Sequence, residues 1–146
     1  GGLELGRINI AARGAGMAQG ATKMALHYAM ERKTFGKTIA EHQAIQLKLA
    51  EMSTRAAAAE LLVHQAADKY DRHERCDLEA GQAKFFASEA AVQNSLDAMR
   101  VFGGYSYSPE YEIERFYRDA PLLCIGEGTN EIQRMIIAKQ MIARAS

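Results

Sequence analysis

Apolar and small residues recur along most of this chain with a helical period, and nowhere do they alternate long enough to mark a half-buried strand. From Ile8 to Arg32, residues Ala11, Ala15, Ala18, Thr22, Ala25 and Ala29 fall at alternating spacings of four and three, which sets small side chains on one stripe of a helix. A second helix is predicted from Thr38 to Arg72. Thr38-Ile39-Ala40-Glu41 reads as a capping box at its start, and Ile45, Leu49, Met52, Ala56, Ala59, Val63, Ala66 and Tyr70 hold a heptad rhythm along it. A third runs from an Asp77 cap to Phe102, where Gly103-Gly104 ends it; its apolar content is Phe85, Ala87, Val92, Leu96 and Met99. Ser108 as cap with Pro109 in the first turn predicts a short helix to Arg118 that stops before Pro121. The last helix starts near Asn130 and carries Ile132, Met135, Ile136, Ile137 and Met141. Short connections and inward-facing stripes predict an all-α fold, an antiparallel four-helix up-and-down bundle with an additional short helix and no strand.

Composition narrows the function. The chain has 146 residues with 18 basic against 18 acidic, a balance that argues against general nucleic-acid binding. Cys76 and Cys124 are too few for a disulfide scaffold, which favours a reducing compartment. No apolar run approaches the roughly 20 residues of a membrane span. His27, His42, His64 and His73 show no metal-ligand spacing, so no metal is expected. The expectation is one domain over residues 1–146, and the Gly at residue 1 suggests a piece of a larger chain.

Three local features stand out. Glu31-Arg32-Lys33-Thr34-Phe35-Gly36 joins a charged helix end to an aromatic and a glycine, and Phe102-Gly103-Gly104-Tyr105 pairs glycines that let something flat or anionic approach the backbone. Ile125-Gly126-Glu127-Gly128-Thr129 sets an acid between glycines ahead of a helix. Period and composition leave that acid open between a functional carboxylate and one that complements the helix dipole.

Taken in order, these stretches resemble the C-terminal helical domain of the acyl-CoA dehydrogenases. The resemblance rests on Gly6-Arg7-Ile8 with its alanine-rich helix, Glu31 to Lys37, His42-Gln43-Ala44-Ile45-Gln46, Lys84 with Ala87-Ser88-Glu89-Ala90, Phe102 to Tyr105, Glu114 to Ala120, and Glu127 to Arg134. It covers nearly the whole chain. What it implies is a flavoenzyme that forms an α,β double bond in an acyl-CoA thioester, a carboxylate taking the α-proton while the β-hydrogen leaves as hydride to FAD. Such a base must lose water to become strong enough for a weak carbon acid.

By resemblance, Glu127 is that catalytic base, Gly128 lines the thioester, and Arg7 stands close to the base and the acyl-CoA. Glu4 and Gly6 fall in the neighbouring substrate-lining segment, where some members carry the acid instead; Gly6 offers none, so Glu127 is favoured over Glu4. Arg32, Lys33, Thr34 and Phe35 match a segment that reaches the FAD pyrophosphate from a neighbouring subunit, Arg32 supplying a forked cation. His42 and Gln43, then Arg100, Gly103 and Gly104, match further contacts on the adenosine side. Thr129, Asn130 and Glu131 open the last helix, where free backbone N–H groups favour an anion. Four positions depart from the usual pattern: Arg100 stands for Gln, Gly126 for an aromatic, Ser106 for a glycine and Glu112 for a proline.

The resemblance also implies electron-transferring flavoprotein as acceptor, a homo-oligomer (dimer or tetramer), a cytoplasmic or mitochondrial-matrix location, and a short or medium acyl chain. A whole subunit of the family has two further domains, so the isolated chain is expected to bind FAD weakly and to turn over no substrate. Alternatives are a related oxidase, an enoyl-CoA-reducing enzyme and a non-catalytic helical assembly subunit.

Overall fold

The computed structural model describes residues 2–146, with Gly1 outside them. Five helices build it: α1 (Gly2–Glu31), α2 (Gln43–Asp71), α3 (Asp77–Phe102), α4 (Ile113–Ile125) and α5 (Asn130–Ala145). Short turns make successive long helices antiparallel, so α1 and α3 run parallel: Gly14 lies against Ala87, Asn94 bonds to Ala18, and Tyr28 stacks on Phe102. The all-α up-and-down bundle is the observed fold. α3 is its axis and packs against each of the other four helices.

The small-residue stripe explains that arrangement. Ala11, Ala15, Ala18, Ala25 and Ala29 of α1 are all buried, and they cluster with Ala80, Ala83, Ala87 and Ala98 of α3. At Gly14 the approach is closest, since a Cβ there would stand 2.7 Å from the Ala87 backbone. Alanine faces slide easily, and polar side chains fix the register. Asn94, fully buried, donates to the Met52 carbonyl of α2 at 2.9 Å and the Ala18 carbonyl of α1 at 3.3 Å, while its Oδ1 accepts from Arg55 at 3.1 Å. At the other end Glu79 of α3 accepts from Lys69 of α2 at 2.7 Å and Arg144 of α5 at 2.9 Å.

Several boundaries differ from the sequence expectation. A hairpin of two-residue strands, β1 (Lys33–Thr34) and β2 (Lys37–Thr38), pairs Lys33 with Thr38 and Thr34 with Lys37. Phe35 and Gly36 close it at φ 52° and 80°, and strands this short leave no alternation to read. The Thr38–Glu41 capping box serves a single 3-10 turn, Ile39–Glu41, and His42 is the N-cap of α2. Cys76, not Asp77, caps α3. Ser108-Pro109 begins a turn rather than a helix, and α4 starts at Ile113 and runs through Pro121. Pro121 is exposed and forfeits one hydrogen bond, which the burial of Ile113, Ala120 and Leu123 on the opposite face offsets.

The apolar residues of α3 and α5 also sit differently. Ala87 is buried, but Phe85, Val92, Leu96 and Met99 are half-buried, and Ile132, Met135 and Met141 are 48%, 72% and 58% exposed. The buried face of α5 is Asn130 and Gln133. Where α5 crosses α3 at Gly81, Ile137 and Gln133 fill the space that a side chain would need. No described helix is long and apolar enough to cross a membrane.

Candidate active site

α4 ends at Ile125, and Gly126 follows in extended backbone, φ −66° and ψ 153°. Two left-handed residues then reverse the chain, Glu127 at φ 57° and Gly128 at φ 85°. For a glutamate that conformation costs on the order of 1 kcal/mol. Hydrogen bonds hold it. Thr129 caps α5 by accepting the Ile132 N–H at 3.3 Å, and buried Gln133 donates Nε2 to the carbonyls of Glu127 and Gly128, each at 3.2 Å. A Cβ on Gly128 would fall 2.8 Å from that Nε2, so glycine answers both the positive φ and the lack of space.

The Glu127 carboxylate lies over α1 at Gly6. A Cβ built on Gly6 would stand 2.5 Å from Oε2 and 3.0 Å from Cδ, so the bare helix surface is the seat of the acid. Otherwise Glu127 is exposed, and whatever dries it must come from outside these contacts.

Arg7 follows Gly6 but points elsewhere on the helix, because adjacent residues do not share a face. It is 9% exposed, its ion-pair partner is Asp77 of α3 at 3.6 Å rather than Glu127, and its Nη1 is buried with no hydrogen-bond partner. Glu4, two positions before Gly6, likewise does not share its face. It helps raise the Cys76 thiol, which burial raises most.

Next to the turn, the side chain of Asn130 faces inward at 1% exposure. Its Oδ1 accepts from Lys84 Nζ at 2.9 Å, and its Nδ2 donates to Ser88 Oγ and Glu89 Oε1 at 2.9 Å each. Only its backbone is left to meet a ligand. The Thr129 hydroxyl is taken by the cap, while Glu131 is exposed. Lys84 is fully buried, and burial pushes its amine below the ordinary lysine value.

A second cluster forms where α1 ends. Arg32, Thr34, Gly103, Gly104 and Tyr105 line a cavity of about 490 Å³. The Arg32 guanidinium lies 5.8 Å over the Tyr105 ring. Nothing stands within 4 Å of where a Cβ on Gly103 or Gly104 would be, so the backbone there is open to approach. His42 Nε2 lies 3.1 Å from the Thr34 hydroxyl and 3.3 Å from its carbonyl, tying hairpin to helix; the carbonyl only accepts, which suits the Nε2–H tautomer. Phe35 projects at 96% exposure, and Lys33 and Gln43 are exposed beside it. Arg100 does not join this cavity and turns back to Asp97 at 3.4 Å. Ser106 donates to the Gly103 carbonyl at 2.7 Å, a structural bond that a glycine there lacks.

Residue spacing brought out Glu127 but not Gln133 or Lys84. Both lie on inward stripes, Gln133 between Asn130 and Ile137 and Lys84 between Ala80 and Ala87, and a polar residue on such a stripe is the signal.

Compared with known proteins, residues 1–142 match the family model described as acyl-CoA dehydrogenase, C-terminal domain. A Bacillus subtilis protein named acyl-CoA dehydrogenase is 51% identical over 140 residues, covering 96% of this chain and 37% of that one. A caffeyl-CoA reductase-Etf complex subunit of Acetobacterium woodii is 43% identical over 142 residues, covering 97% of this chain and 38% of that one. The solved butyryl-CoA dehydrogenase of Megasphaera elsdenii superposes with a TM-score of 0.94 at 39% identity, over 96% of this chain and 37% of that one. The chain therefore spans little more than a third of these relatives' length.

Proposed function

The chain belongs to the acyl-CoA dehydrogenase family, as its C-terminal domain, and on that premise we propose that it is the base-bearing domain of a three-domain, FAD-dependent enzyme that desaturates an acyl-CoA thioester between the α and β carbons. The observation that carries this reading is the Glu127 carboxylate, seated on bare Gly6 by a left-handed turn of the backbone. An acid held this way is directed, while its exposed side stays open to a substrate. Glu127 takes the α-hydrogen as a proton on a carboxylate oxygen, and the electron pair of that C–H bond becomes the second bond to the β-carbon as the β-hydrogen departs with its own pair. When bound, FAD accepts that hydride. Gly128 keeps the turn free of side chain, so the thioester can come up to the backbone.

The residues present fit FAD. Arg32 is exposed and makes no ion pair among the described residues, and it faces the open backbone of Gly103 and Gly104 across one cavity. A forked cation over bare glycine backbone suits a diphosphate. Arg7 and Arg32 are separated by about 38 Å of helix rise. That separation supports a reading in which the two clusters serve different flavin sites, each completed by another copy of the chain in a homo-oligomer, dimer or tetramer. Electron-transferring flavoprotein is the acceptor, in keeping with a relative named for an Etf complex.

A second reading runs the chemistry in reverse, with Glu127 returning the α-proton to an enoyl thioester. It is favoured by the relative named a reductase.

The test is Glu127→Gln in the full-length flavoenzyme. With FAD retained, anaerobic bleaching of the flavin by acyl-CoA should slow about 10²–10⁴-fold, the share a general base supplies. Bleaching at the wild-type rate would place the base elsewhere.

A further inference from the structure

The turn that carries Glu127 rests on one buried amide. Gln133 is closed to solvent on the inward face of α5, and its Nε2 donates to two successive carbonyls, Glu127 and Gly128, at 3.2 Å each. Two acceptors converging on one nitrogen fix which way the amide lies, because turned over it would set Oε1 against both of them. Oε1 instead faces α3, 3.7 Å from where a Cβ of Gly81 would stand, and has no donor. An unpaired buried acceptor costs stability, and an apolar side chain of the same length would not incur that cost. Packing alone therefore does not account for a glutamine here.

The clamp acts where the backbone needs it. Glu127 and Gly128 are the left-handed pair, and the space between Gly128 and Nε2 admits no methyl group. Freed of the amide, Glu127 relaxes toward the right-handed or extended regions open to it, and its side chain swings off Gly6.

We propose that Gln133 is a positioning residue for Glu127: by gripping the two carbonyls of the turn it lays the carboxylate over Gly6 and so aligns the proton transfer. This rests on Glu127 being the base. Gln133 touches neither of the reacting carbons and acts only through the turn.

The experiment uses the full-length flavoenzyme with Gln133→Met, which keeps length and removes the donor, Gln133→Glu, and Glu127→Gln in parallel. Gln133→Met should keep its FAD and its melting temperature, lose about 10²-fold in kcat as a misaligned reacting group does, and leave KM for the acyl-CoA unmoved. The isotope effect on kcat from α-deuterated substrate should rise, because proton removal then limits turnover more fully. Gln133→Glu should retain part of the activity in the pH window where Glu127 is ionised while the buried acid at 133, raised by desolvation, is still protonated and donates one hydrogen bond, and lose it as that acid ionises. If Gln133→Met fails to take up FAD, this pH limb decides, and its absence overturns the proposal. A Gln133→Met enzyme with wild-type kcat and isotope effect, beside an inactive Glu127→Gln enzyme, overturns the clamp alone. An active Glu127→Gln enzyme overturns the base and the clamp together.

Discussion

At the scale of single residues, a missing side chain does as much as a present one. Gly6 is where α1 leaves a gap for the Glu127 carboxylate, and a methyl group there would meet Oε2 at 2.5 Å. The obstacle is the end of a flexible side chain, so Gly6→Ala should fold and even gain up to about 1 kcal/mol from alanine's helix propensity. Its kcat should nevertheless fall, by about 10²-fold if the acid is pushed roughly 1 Å off line. Thermal melting and initial rates on the full-length Gly6→Ala enzyme check both halves; unchanged kcat would mean that the seat on Gly6 is irrelevant. The glycines on either side of Glu127 marked an unusual turn in the sequence, and the left-handed pair Glu127–Gly128 is that turn. The partner of Arg7 was not, since its pairing with Asp77 depends on how two helices face each other, which no local spacing encodes.

At the scale of elements, the long helices were readable because their stripes of alanine keep a strict period, and α1 and α2 bury the faces expected of them. Reading failed where polar groups take the inward positions. Apolar residues of α5 mark its outer side, whereas the face against α3 is held by Asn130 and Gln133 and, at its far end, by the salt bridge of Arg144 to Glu79. The carboxyl of Glu79 is held down to about 2, chiefly by hydrogen bonds from Arg144, with burial opposing and Lys69 adding. A carboxyl depressed this way contributes its full stability above the ordinary value near 4.5 and loses it as pH falls through about 2. The contribution at neutral pH is about 3 kcal/mol as an upper figure. Glu79→Gln should therefore lower the urea midpoint at neutral pH and flatten the decline of stability through the acid range. Parallel acid declines in variant and parent would show that the three-helix junction does not depend on this charge.

At the scale of the whole molecule, α1 is a rod with chemistry at both ends. The acid and Gly6 lie at one end, the arginine–glycine cavity at the other, about 38 Å apart by helix rise. On the proposed reading one chain brings part of each of two sites, which fits motifs that are individually weak in the sequence yet informative in series. Glu127 is exposed on this chain, and under the same proposal the rest of the assembled enzyme is what dries it. The central claim is that Glu127 removes the hydrogen beside the thioester, and it can be isolated from the hydride step. The full-length flavoenzyme is given, in heavy water, an acyl-CoA analogue that has no β-hydrogen to lose, and deuterium entering the α-carbon is followed by mass spectrometry. The account predicts rapid α-exchange with the parent enzyme and none above background with Glu127→Gln, although both bind the analogue; equal exchange by the two proteins would contradict it.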